Sequence, residues 1–146
     1  MTGGVSARAP LAAAIAWLAV PASAASPPEV TPAVQASYML NCMGCHLADG
    51  SGAPGKVPSM RNSLWRLALS AAGRSYLVRV PGAAQSPLSD LELAQLLTWM
   101  VRNLSAAPVP RAFADFTAAE VSRYRRFPLA EVRGVRARLL SMPAAR

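Results

Sequence analysis

The chain has 146 residues, with 15 basic against 7 acidic side chains, a formal net charge of +8 and 53% hydrophobic residues. It carries two cysteines and one histidine, too few to complete the roughly four N, S or O ligands of a zinc site. There is no Gly-x-x-x-x-Gly-Lys phosphate loop, no dinucleotide fingerprint after a strand and no paired-carboxylate site among the scattered Asp and Glu residues.

At the amino terminus Arg8 precedes an apolar run from Leu11 to Val20, and Pro21-Ala22-Ser23-Ala24-Ala25 follows with small residues in an A-x-A arrangement. This reads as a secretory signal peptide over residues 1–24, cut after Ala24 or Ala25. The run is too short to span a bilayer, so an uncleaved membrane anchor is the weaker alternative. The remaining chain, about 120 residues, suits one domain with an extension rather than two domains. The expected location is the periplasm, with membrane association as the secondary option.

The mature chain shows helical periodicity throughout, predicting an all-α fold. Ala33 to Asn41, after Pro32, forms an amino-terminal helix that runs directly into Cys42-Met43-Gly44-Cys45-His46. Cys-x-x-Cys-His is the attachment signature of a c-type haem. Two thiols three residues apart on a helical turn each form a thioether to a haem vinyl group, and the adjacent imidazole falls beneath the iron. Cys42 and Cys45 are therefore the covalent attachment points of one haem c, and His46 is the axial ligand. Gly44 keeps side-chain bulk off the porphyrin edge. Export agrees with this reading, since haem is attached to cysteines outside the bacterial cytoplasm. A thioredoxin-like dithiol needs a βαβ context, which is missing.

Ala48 to Pro58 is rich in glycine and reads as a loop. A short helix fits Leu64 to Ala71, capped by Ser63 or Asn62. Tyr76 to Val80 is the nearest strand candidate, although Arg79 equally suits a helical turn. Ser89-Asp90-Leu91-Glu92 is a capping box before the stripe Leu93, Leu96, Leu97, Met100 and Leu104, predicting a helix that ends near Asn103.

The order of helix, Cys-Met-Gly-Cys-His, glycine-rich loop, Pro58, Val80-Pro81-Gly82 and Pro87-Leu88-Ser89-Asp90-Leu91-Glu92-Leu93-Ala94 leading to Trp99 resembles a class I cytochrome c over residues 32–104. The resemblance implies a cytochrome c-like helical domain, residues 25–104, around one covalent haem. It implies that Pro58, twelve positions after His46, offers its carbonyl to the imidazole and orients it. It also implies that Trp99 packs on the first helix, with Tyr38 as the contact. The chain departs from the family at the sixth iron position: Val80 stands before Pro81, where the family places methionine, and no methionine lies between Met60 and Met100. Met60, Met100, Met142 or an open site are the alternatives. Met60 and Met100 each read more readily as core packing than as ligand.

Residues 105–146 add a linker and a basic helical extension. Ser105 to Pro110 is the linker, and Thr117-Ala118-Ala119-Glu120 is a second capping box opening a helix toward Phe127. A further helix is predicted from Leu129 to Leu140, with Leu129, Val132, Val135 and Leu139 as its stripe. The extension holds eight basic and three acidic groups, against six and four in residues 25–104. Its stripe either packs on the chain's own surface or docks a partner subunit or membrane. An exported chain without aromatic-basic stacking motifs gives no reason to expect nucleic acid.

The resemblance implies a carrier of single electrons, not an enzyme, between a periplasmic dehydrogenase and a downstream acceptor. Its partners are redox proteins: a dehydrogenase subunit, an oxidase or another cytochrome. The alternative is a haem-based ligand-binding, sensing or peroxidase-like module with an open sixth position. A third reading makes the basic tail a tether to a larger oxidoreductase complex.

Overall fold

The computed structural model describes residues 1–4 and 32–143, so the segment read as a signal peptide lies outside the described residues apart from its first four. Among the described residues there are seven helices and no strand: α1 (Pro32–Asn41), α2 (Leu64–Ala68), α3 (Ala71–Arg79), α4 (Pro81–Ala84), α5 (Asp90–Leu104), α6 (Ala118–Arg125) and α7 (Arg133–Ser141). None is long and apolar enough to cross a membrane. The all-α expectation holds.

Local chemistry explains where most helices start. The Ser89 capping box of α5 is complete: the Ser89 hydroxyl accepts from the Glu92 N–H while the Glu92 carboxylate accepts from the Ser89 N–H at 2.8 Å. Seven residues of α5 are then buried, from Leu93 to Leu104, which makes it the central helix of the molecule. Tyr38 of α1 lies against it, its ring centroid 5.4 Å from that of Trp99, as the resemblance implies. On its other sides α5 meets α2 and α6.

The strand candidate at Tyr76 to Val80 is helical. Ser70 caps α3 by accepting from the Gly73 N–H at 3.1 Å, and Tyr76, Leu77 and Val78 become buried core. Three consecutive apolar residues resemble a short strand, and burial on both sides of a packed helix produces the same run. Gly73 permits the close approach of α2 and α3, because a Cβ there would stand 2.1 Å from the Leu67 carbonyl oxygen. Pro81 then opens α4 at a position where its missing N–H costs nothing.

Beyond residue 104 the chain returns to the same core. Phe113, Phe116 and Val121 are buried with the residues of α1, α2, α3 and α5. The Thr117 hydroxyl caps α6 through the Glu120 N–H, but the Glu120 side chain leaves the cap and pairs with Arg74 of α3. The last helix starts later than the stripe suggests, at Arg133 rather than Leu129. Leu129 donates its N–H to the Arg79 carbonyl at 2.9 Å, and the Glu131 carboxylate accepts from the N–H groups of Gly134 and Val135. Both contacts hold residues 129–131 outside the helix, which Val132 opens as its N-cap.

Candidate functional site

Helix α1 continues as one irregular turn through the Cys-x-x-Cys-His segment. Cys42 donates its N–H to the Tyr38 carbonyl at 2.9 Å, and the N–H groups of Cys45 and His46 both return to the Cys42 carbonyl, at 3.2 and 3.0 Å. That turn brings Cys42, Cys45 and His46 to one wall of a cavity of about 320 Å³. Tyr38 braces the turn from beneath: its hydroxyl donates to the carbonyl of Leu47, the residue after His46, at 2.6 Å. Burial, helped by the nearby Cys42 and Asp49, pushes the Tyr38 phenol up to about 12, so it stays a donor.

The glycine-rich loop closes the same wall. Gly50 has φ of +78°, a conformation glycine adopts freely, and its carbonyl accepts the Met60 N–H at 2.9 Å. Arg61 ties the loop back through the carbonyl and carboxylate of Asp49, both at 3.1 Å. Pro58 and Met60 thereby line the cavity together with the aliphatic surface of α2 and α5, supplied by Leu64, Leu67, Leu93, Leu96, Leu97 and Met100. Leu77, Val80, Ala83 and Leu88 extend that apolar lining from α3 to the start of α5.

The titratable groups suit a covalently held metal centre. The His46 Nδ1 is buried and has no hydrogen-bond partner. Burial lowers the imidazole pKa, with the Ser51 backbone opposing it, and the neutral form that results is the one that ligates metals. Burial, followed by the neighbouring Cys45, pushes the Cys42 thiol up to about 11. A redox-active dithiol needs the opposite shift. Among the described residues no group of three or more His, Cys, Asp and Glu side chains gathers to hold a bare ion. An apolar cavity with two thiols at its wall and one orphaned, neutral imidazole fits haem c.

The predicted site residues converge. Cys42, Cys45, His46 and Pro58 all line the one cavity. Pro58 makes no hydrogen bond to His46, since the Nδ1 is without a partner. Of the three methionines considered for the sixth position, Met60 and Met100 line the cavity and Met142 does not; Met142 is exposed.

The stripe Leu129, Val132, Val135 and Leu139 packs on the chain's own core, one of the two readings the sequence allowed; what sequence reasoning missed is the part played by the arginines. Arg125 of α6 gathers the loop before α5, donating to the carbonyls of Ala84, Ser86 and Leu88 and to the Asp90 carboxylate. This holds the Ala83 to Leu88 edge of the cavity. Val132 and Arg136 line the cavity directly. For the arginines the surplus of basic residues was the sequence signal, and it reads equally well as a solvated face.

No family model matches the chain. It is 28% identical over 108 residues to cytochrome c-552 of Thermus thermophilus, a match covering 62% of this chain and 82% of that protein. A cytochrome c-552 from a named strain of the same organism matches at the same 28%, with 62% of this chain and 73% of that protein covered. The chain is thus similar to these two cytochromes, and its described residues form helices and no strand.

Proposed function

We propose that this protein is an exported class I monohaem c-type cytochrome that carries single electrons from a periplasmic dehydrogenase toward a downstream acceptor. One observation carries the reading: the two thiols and the lone imidazole of the chain stand on one wall of an apolar cavity, with the imidazole Nδ1 buried and unpartnered. Cys42 and Cys45 hold the haem and His46 ligates its iron. A partner for Nδ1 fixes the ring and raises ligand basicity; Pro58, on the same wall, is the residue we assign to that role.

Bound haem supplies one-electron ferric/ferrous chemistry. The chain's own residues set the conditions for it. The leucines of α2 and α5 exclude water and lower the local dielectric, which disfavours the more highly charged oxidised state. Tyr38 and the Gly50 loop hold the histidine turn in place, so that little rearranges when the charge changes. Met60 and Met100 are the two methionines in the lining, and a thioether ligand raises the potential.

The test is expression in a host competent for c-type maturation. The expected product starts after Ala24 or Ala25, carries one haem by intact mass and titrates reversibly with one electron. The oxidised protein is expected to show the weak near-infrared band of methionine ligation, lost in Met100→Leu or Met60→Leu. Colourless protein with the mass of the bare polypeptide would refute the reading. Rapid carbon monoxide binding by the reduced form would replace the carrier with a ligand-binding module, the reading that Val80 favours because it puts a side chain without a ligating atom on the cavity wall.

A further inference from the structure

Arg136 is the one formally charged side chain in the lining of the main cavity. It belongs to α7, outside the region of family resemblance, and is half-buried. Its Nη2 donates to the Ser63 hydroxyl at 2.9 Å and the Ser59 carbonyl at 3.2 Å, both neutral acceptors. No described carboxylate is left for it. Asp49, Asp90, Asp115 and Glu120 pair with Arg61, Arg125, Arg102 and Arg74, while Glu92 and Glu131 cap α5 and α7. A partly desolvated guanidinium facing an apolar cavity is costly without an anion, and a carboxylate is the anion its planar fork fits best.

Two neighbouring cations reinforce this corner. Lys56 and Arg133 border a smaller groove of about 220 Å³ that shares Pro58 and Arg136 with the main cavity. Helix α7 itself has no buried residue. Beyond the partly buried side chains it lays on the core, it is held by polar bonds: Arg136 to residues 59 and 63, Arg133 to the Gly55 carbonyl at 3.3 Å, and Arg66 to the Leu140 carbonyl at 2.9 Å.

The geometry points to Arg136 as the receptor for a propionate carboxylate of the bound haem, so that α7 is a strap fastened across the haem cavity by the cofactor itself. The second propionate is met by Lys56 and Arg133. This rests on the haem reading above and extends it, giving the basic extension a place in the site. Arg136 acts as a positioning and electrostatic residue, neutralising carboxylate charge near the iron.

The test uses the full mature, haem-loaded protein with Arg136→Gln, Arg136→Lys and, as a charge control, Arg123→Gln. Arg136→Gln keeps its haem but lowers the midpoint potential by about a tenfold change in the ferric/ferrous equilibrium, 59 mV for one electron, because an unneutralised carboxylate stabilises ferric iron. Tryptic cleavage at Arg133 and Arg138 becomes at least fivefold faster. Arg136→Lys recovers more than half of the potential, and Arg123→Gln, which removes an exposed charge of α6 outside the cavity lining, stays within twofold of wild type. Red protein whose Arg136→Gln midpoint equals wild type overturns the strap alone, as does an Arg123→Gln shift as large as that of Arg136→Gln. A colourless wild-type preparation overturns the haem reading and this inference together. Should Arg136→Gln fail to accumulate, the exposed pair Lys56→Gln/Arg133→Gln decides: a midpoint equal to wild type overturns the proposal.

Discussion

The contact that most firmly joins the extension to the helices around the cavity is the one between Arg74 of α3 and Glu120 of α6. Nε and Nη2 of Arg74 donate to the two carboxylate oxygens of Glu120, each at 2.6 Å. The remaining donors reach the carbonyls of Ala114 at 2.8 Å, Asp115 at 3.1 Å and Ala68 at 3.3 Å. All five guanidinium N–H groups are thus matched, and the group lies 3.9 Å from the centroid of the Phe116 ring. The two side chains are only 14% and 19% exposed, so removing one partner strands a charge in a poorly hydrated place. Arg74→Met is expected to cost about 3 kcal/mol, the lower end of the range for breaking a buried pair. For a chain of this size that is a fall of about 12 °C in melting temperature. Arg74→Met/Glu120→Met, which leaves no orphaned charge, should lose less than the sum of the single changes by at least about 1 kcal/mol. Urea unfolding followed by far-ultraviolet circular dichroism on the haem-loaded proteins measures the cycle. Additive losses, or a single-variant cost below about 1 kcal/mol, would show that this ion pair does not tie the extension to α3.

Tyr38→Phe keeps the ring against Trp99 and removes only the bond to Leu47, whose carbonyl retains the Gly50 N–H; a loss of about 1 kcal/mol is expected in the same urea assay, and no loss would mean the hydroxyl does not brace the histidine turn. In acid, the carboxyl pKa values of Asp90, Glu92 and Glu131 lie below the ordinary range through hydrogen bonds from Arg125, Ser89 and the Gly134 N–H respectively. Depressed folded values make their stabilisation fully present above about pH 4, the unfolded value, and progressively lost as pH falls through the lower folded values. Melting temperature should therefore decline below about pH 4, and Glu131→Gln should flatten that decline; an unchanged acid slope in the variant would contradict the role given to this cap.

Some of this molecule was readable before any fold was known. The attachment residues lie within five positions, so their joint chemistry is a local property of the chain. The caps of α5 and α6 were equally local, because the donor and acceptor of an N-cap stand three residues apart. The contact between Tyr38 and Trp99 could be anticipated only through family resemblance. The run Tyr76–Val80 misled, because a buried helix and a short strand present the same consecutive apolar residues.

What the tertiary structure alone decided was the use of the arginines. The Asp90, Glu120 and Ser59 acceptors of Arg125, Arg74 and Arg136 lie 35 to 77 residues away, and nothing within one helical turn of any of these arginines distinguishes a tie across the fold from a charge left in water. Periodicity encodes which face of a helix is buried, since that depends on neighbours at i+3 and i+4. Which distant loop a long cationic side chain reaches depends on how seven helices pack together. For that reason the sequence could place the haem-binding turn, while only the assembled fold set the C-terminal helix against its cavity.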